Sequence, residues 1–150
     1  MKPAMSMRRL ARVDTKAITR TTWQRVWTDH DPAAIDELFA EDLVVHNGGR
    51  TFNGRDGFHY AVEQVWVAAF PDLAVEVQLQ LAEGDLVCDH VVFRGTHSGA
   101  AFHGLEPRGI SFEMTQTTIL RIAGGRVAEF WEDYDWAGLL QQLGVTFQDP

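Results

Sequence analysis

A single cysteine, Cys88, stands among 150 residues, so no internal disulfide can form and no Cys-rich zinc site can be built. No stretch approaches the run of about 18 apolar residues that a bilayer crossing needs, which excludes a membrane-spanning helix. Positive charge is scarce: 13 Lys and Arg face 21 Asp and Glu, for a net charge of −8. An acidic chain with no basic run beyond its first dozen residues is badly suited to gripping phosphate backbones, so no nucleic-acid partner is expected, the basic first residues being the one alternative. The histidines form no HxxxH or HxH pair, and a metal site would need three convergent ligands, so no metal is expected.

What the chain does have is an ordinary globular balance, with 45% hydrophobic and 23% charged residues. A domain of this length buries roughly 68–70% of its unfolded surface and needs no staple. Five Trp and nine Phe supply bulk for a core or an apolar cavity. The first residues differ from the rest. Lys2, Arg8, Arg9 and Arg12 carry positive charge with no acid between them. They lack an apolar stretch of signal-peptide length, so a cytoplasmic location is expected. The reading is a mobile basic arm over 1–13 followed by one domain over 14–150.

Helical spacing comes first. Asp14 caps a helix to about Thr28, with Ile18, Thr22, Trp23, Val26 and Trp27 on one stripe. Asp31-Pro32 opens a second, short helix. Leu43 to His46 is a short strand, closed by the Asn47-Gly48-Gly49 turn. A third helix covers about Asp56 to Phe70, with Trp66 on its stripe, and Pro71-Asp72 stops it. Strands follow. Leu73, Val75, Val77, Leu79 and Leu81 alternate with polar residues, which predicts one half-buried face. Leu86 to Arg94 is an apolar strand that includes Cys88 as a core residue. A glycine-rich loop spans 95–109, and strands at 111–122 and 126–133 meet at Gly124-Gly125. Asp135 caps a last helix from Trp136 to Leu143. Helices ahead of a meander indicate the α+β class. The expected form is a cone-shaped, curved antiparallel sheet packed against three N-terminal helices, with a short C-terminal helix. Its cavity should lie on the concave side, beside Phe112, Met114 and Phe130.

The tail Gly125-Arg126-Val127-Ala128-Glu129-Phe130-Trp131, with Asp135 through Gly144, resembles SnoaL-like polyketide cyclases. So do Ala69-Phe70-Pro71-Asp72, Arg94 through Gly99, Phe102-His103-Gly104, and Phe39 through His46. The resemblance covers about residues 15 to 145. It implies the nuclear-transport-factor-2-like cone and intramolecular aldol ring closure of polyketide esters, with no metal or organic cofactor. It also implies an acid/base carboxyl just after the Trp of the last strand, often in a His-Trp-Asp run. Here that run is Phe130-Trp131-Glu132, so Phe replaces the His and Glu the Asp.

Strand parity tests that placement. Ala128, Phe130, Glu132 and Tyr134 share one face of the last strand, and Val127, Glu129, Trp131 and Asp133 the other. Across the hairpin Phe112, Met114, Gln116, Thr118 and Leu120 form an apolar set with two polar groups, assigned to the concave face. Glu132 in such a place is a usable acid or base, against the blander reading of a surface glutamate at a fraying strand end. His46, where the family puts a polar residue, is the second catalytic candidate, and a backbone-bonded core histidine is its alternative. Asn47 is the neighbouring choice. Gln116 and Thr118 would hold a carbonyl oxygen. Phe112, Met114, Phe130 and Trp66 would shape the cavity, and His97 and His103 would line its mouth. Asp135 is read as a cap.

The expected function is cofactor-free proton transfer next to a carbonyl of an apolar small molecule, with aldol-type ring closure as its specific form. Two alternatives remain. One is a non-catalytic small-molecule-binding protein on the same fold. The other is epoxide hydrolysis with an Asp-Arg-Asp arrangement, for which Arg94 and Arg121 are the strand arginines. Apolar residues on both sheet faces, Trp131 among them, predict a homodimer through the convex side.

Overall fold

The structure is a computed structural model, and it describes residues 12–148. The arm expected at 1–13 therefore lies outside the described residues, apart from Arg12 and Val13. Helix α1 spans Thr15–Thr22, with the Asp14 carboxylate accepting from the Ala17 N–H. It continues as a wider π-helical segment, Trp23–Thr28, in which the Asp29 N–H reaches the carbonyl of Gln24 at 2.8 Å. Helix α2, Pro32–Leu38, has Asp31 as cap and Pro32 in its first turn. Helix α3, Arg55–Tyr60, also continues in π form, over Ala61–Val67. Helix α4, Trp136–Gln142, is capped by Asp135, whose carboxylate accepts from the Gly138 N–H at 2.9 Å. π-helical winding is rare and recurs at functional sites. Here both such segments hold tryptophans against the sheet.

The strands are β1 (Phe39–Asn47), β2 (Arg50–Asn53), β3 (Ala74–Glu83), β4 (Leu86–His97), β5 (Ile110–Ala123) and β6 (Arg126–Tyr134). They form one open sheet in the order β2-β1-β6-β5-β4-β3. The α+β class holds, and the sheet is mixed, because β1 and β6 run parallel. After the β1–β2 hairpin the chain crosses through α3 to the far edge and meanders back, so β6 arrives beside β1 in the same direction. The edge strand β2, which follows the expected Asn47-Gly48-Gly49 turn, is not among the strands expected from the sequence.

Besides the shift between Phe39 and Val44 where β1 meets β6, two register shifts decide which side chains face inward. One falls between Val77 and Leu79 on β3, where Leu79 pairs with His90 and Gln80 with Asp89. It turns Leu79 and Leu81 outward, 56% and 60% exposed, and brings Gln80 inside. The expected five-residue apolar face is thus broken after Val77, because one extra residue inverts the alternation. The second lies opposite Ala128: Ile122 pairs with Val127 and Arg121 with Glu129. Val127 is consequently buried, not outward as parity predicted, while Phe130 and Glu132 keep the inward facing expected of them.

The core lies between the helices and the concave face. Trp27 packs edge-on against Phe58, Trp66 and Phe93, with ring centres 6.1, 6.4 and 5.3 Å away. The 98–109 loop is docked on the end of the α3 segment. The N–H groups of Gly99 and Ala100 donate to the carbonyls of Ala69 and Ala68 at 3.1 and 2.7 Å. Phe102 from this loop is fully buried, with Phe70 and Trp66 at 4.8 and 5.1 Å.

Candidate functional site

Strand register builds one polar row across the concave face. Gln80, Asp89, Thr118, Glu132 and Asn47 are successive cross-strand partners on β3, β4, β5, β6 and β1. Glu132 sits near its centre. One carboxylate oxygen accepts from Asn47 Nδ2 at 2.6 Å, and the other from Gln116 Nε2 at 3.1 Å. Gln116 Nε2 also donates to Thr118 Oγ1 at 2.9 Å, and Asn47 Nδ2 reaches the Tyr134 hydroxyl at 3.4 Å. Burial pushes the Glu132 carboxyl up from 4.5 to about 7. The two amide donors pull it down less strongly, and the neighbouring Asp133 charge pushes it up further. Burial also raises the Tyr134 hydroxyl, against a hydrogen bond from Asn47 that lowers it.

Beside this carboxyl is a narrow cleft between α1 and the sheet. Gln116, Thr118 and Glu132 form its polar end. Thr22, Trp23, Trp27, Phe39, Phe58, Leu120 and Phe130 form the rest. Its free volume is about 10 Å³, room for roughly one water molecule. A wider, open groove of about 490 Å³ runs over Asp72, Arg94, Thr96, Ser111 and Gln142, and does not include Glu132.

Of the residues singled out in the sequence, Glu132, Asn47, Gln116, Thr118 and Phe130 come together here. His46 does not. It pairs with Trp131, stacks on that ring at 5.0 Å, and binds Glu129 at 3.0 Å and Thr51 at 3.1 Å. That is the outer face. Parallel pairing of β1 with β6 sets Asn47, not His46, opposite Glu132. Phe112 and Met114 face inward but do not line the cleft. They are core, with Phe112 4.8 Å from Phe70. Trp66 packs over Tyr134 at 6.1 Å, outside the cleft wall.

His97 is buried and holds the loop by a 2.9 Å bond to the carbonyl of Ala100. His103 is exposed at a positive φ, its ring 4.9 Å from Trp136. Neither histidine reaches the cleft. Arg94 binds Glu76 and Glu113, and Arg121 binds Asp85 and lies over Trp131, so both arginines serve the outer face. Neither can complete an Asp-Arg-Asp site with Glu132. Cys88 alternates with the buried Val87 and Asp89 and is half-buried on the outer face, not a core residue.

Sequence reading passed over Asp89, which is 0% exposed and receives hydrogen bonds from Trp23 and Gln80. Its signal was an acid at an inward position of an apolar strand. Among the described residues, no three His, Cys, Asp or Glu side chains gather as a metal site would require.

The model of SnoaL-like polyketide cyclases matches residues 17–143. The chain belongs to this family. A search of curated proteins finds no match. Among solved structures, this SnoaL-like chain is similar to IdmH from Streptomyces antibioticus, a candidate polyketide cyclase. The identity is 33% and the TM-score 0.76, over 88% of this chain and 99% of that one. A candidate polyketide cyclase from Acidithiobacillus ferrooxidans is 27% identical with a TM-score of 0.76, over 86% and 93% of the two chains. AclR from Streptomyces galilaeus, a candidate hydroxylase, is 27% identical with a TM-score of 0.79, over 91% and 88%. Relatives so similar in shape carry different reaction names, so the SnoaL-like fold alone does not choose the chemistry.

Proposed function

We propose that this SnoaL-like protein moves a proton next to a carbonyl group in an apolar small molecule, without an organic cofactor, with aldol-type ring closure as the specific reaction. The observation that carries the reading is the Glu132 carboxyl at the end of a mostly aromatic cleft, where burial pushes it up to about 7. A base is most useful when its pKa lies near the working pH. Anionic Glu132 would take the proton from the carbon next to the carbonyl, and the new carbon–carbon bond would form from the resulting enolate. The proton on Glu132 would then pass to the oxygen that becomes the hydroxyl.

Asn47 and Gln116 hold both carboxylate oxygens in place. Thr118, which lines the cleft, receives a hydrogen bond from Gln116 through its oxygen, which leaves its hydroxyl proton to donate to the enolate oxygen. A ring-sized substrate needs more than the free volume present, so Trp27 and Phe58, across the cleft from the fixed indole of Trp23, must yield when it enters. The family membership and the IdmH likeness favour ring closure over other proton transfers.

The flat bicyclic ketone β-tetralone in deuterated buffer tests the first step. Its protons next to the carbonyl should exchange faster with the protein than in buffer, as followed by proton NMR. Glu132→Gln should lower that rate about 10²–10⁴-fold. Equal exchange by wild type and variant would favour the non-catalytic binding alternative. The outer sheet face is proposed as the contact of a homodimer. Leu81, Cys88, Ile119, Trp131 and His46 lie in one cross-strand row there, with Leu81 and Ile119 well exposed.

A further inference from the structure

We infer that Asp89 is a positioning residue that fixes the indole of Trp23 as one wall of the cleft, and so sets which flat ligands fit beside Glu132. Asp89 and Trp23 lie 66 positions apart in the chain, and Trp23 Nε1 donates to Asp89 Oδ2 at 2.7 Å. The other oxygen, Oδ1, accepts from Gln80 Nε2 at 2.8 Å. The orientation of Gln80 is itself forced. Arg20, which can only donate, binds Gln80 Oε1 at 2.5 Å, so the Gln80 amide must turn its NH₂ toward Asp89. That NH₂ also donates to Thr19 Oγ1 at 2.8 Å. With one carboxylate oxygen committed to Gln80, the other is left for the indole.

A fully buried carboxylate is expensive unless both oxygens are satisfied. Its position in the row beside Thr118, which stands between it and Glu132, links that cost to the cleft. Trp23 is a cleft wall and packs edge-on to Phe93 at 6.1 Å. It opens the π-helical segment, where local backbone geometry departs from the ordinary helix. A large ring held at its edge by a carboxylate cannot tilt freely. An Asn at position 89 presents one acceptor and one donor group, so it can serve Trp23 or Gln80 but not both. The inference concerns the binding wall and does not depend on the acid/base step.

The test uses β-tetralone as probe and the indole N–H signals in a proton–nitrogen correlation spectrum of the full chain. Trp23→Phe identifies the Trp23 signal by its loss. In the wild type that signal should lie downfield, exchange slowly with solvent, and shift as β-tetralone is added. In Asp89→Asn it should move upfield and exchange faster, with affinity for β-tetralone falling about tenfold. If the wild type catalyses exchange, KM should rise while kcat stays within about threefold. Trp23→Phe keeps Asp89 and a ring, and should weaken binding similarly; the double variant should lose little more. Should Asp89→Asn not fold, Trp23→Phe decides alone.

A wild-type Trp23 signal that ignores β-tetralone would overturn the inference. So would unchanged affinity in Asp89→Asn, even with a lowered melting temperature, since Asp89 would then serve stability alone. Unchanged affinity in Trp23→Phe would overturn it too. Lack of proton exchange with a responsive Trp23 signal would instead count against the acid/base reading.

Discussion

Burial pushes the Glu132 carboxyl in the folded chain up to about 7, from the ordinary value of 4.5 that it regains when the chain unfolds. Between those values the folded state holds the proton more tightly, so stability falls as pH rises through this window and stays lowered above it. The shift corresponds to about 3 kcal/mol. Glu132→Gln removes the titrating group, so urea unfolding should show the variant more stable than wild type at pH 8, with the gap closing near pH 4. The same carboxyl should give proton exchange a rising limb with an apparent pKa near 7, because the anion is the active form. His46 predicts the opposite kind of result. It stacks on Trp131 and binds Glu129 on the outer face, so His46→Ala should leave β-tetralone exchange within about threefold of wild type. A loss comparable to that of Glu132→Gln would mean that the outer face feeds into the chemistry.

At the scale of elements, parity was legible where strands are regular. Along β5, Phe112, Met114, Gln116, Thr118, Leu120 and Ile122 are all buried, and each intervening residue from Glu113 to Ile119 is exposed. Alternation misled where a residue is inserted. On β3 the shift after Val77 sends Leu79 and Leu81 to the outside, and on β6 Val127 turns inward. The docked loop supplies a sharper test of element packing. A Cβ on Gly99 would run into the carbonyl oxygen of Ala68, a backbone atom that cannot swing aside. Gly99→Ala should therefore cost about 1–3 kcal/mol by overpacking, read as a lower urea midpoint with an unchanged slope. Gly57→Ala, with nothing near its Cβ, is the control expected to show no such loss.

At the scale of the whole molecule, the helices of the described residues cover the concave side of the sheet. The outer side keeps its apolar row, with His46 and Arg121 on either side of Trp131. If that row meets a second copy, light scattering at micromolar concentration should give twice the chain mass. Trp131→Glu would place a charge at the centre of the contact and should yield the single-chain mass with the fold retained by circular dichroism. A wild-type protein of single-chain mass would refute the proposed contact. A dimer unaffected by Trp131→Glu would move that contact elsewhere, to the helices or the open groove near Arg94.

The sequence by itself determined the order of the elements apart from β2, the helix caps at Asp14, Asp31 and Asp135, and that Phe130 and Glu132 share one face of their strand. These rest on near neighbours: a cap reaches two or three residues, and strand alternation has period two. Tertiary structure alone decided that Asn47 and not His46 meets Glu132, because strand register against a distant partner sets that choice. It also decided that Gln80 turns inward, and that Asp89 meets Trp23 across 66 residues. The free volume was decided there as well. How closely Trp23, Trp27, Phe58 and Phe130 fill the concave side depends on helix-to-sheet packing, for which no local pattern in the chain carries a signal.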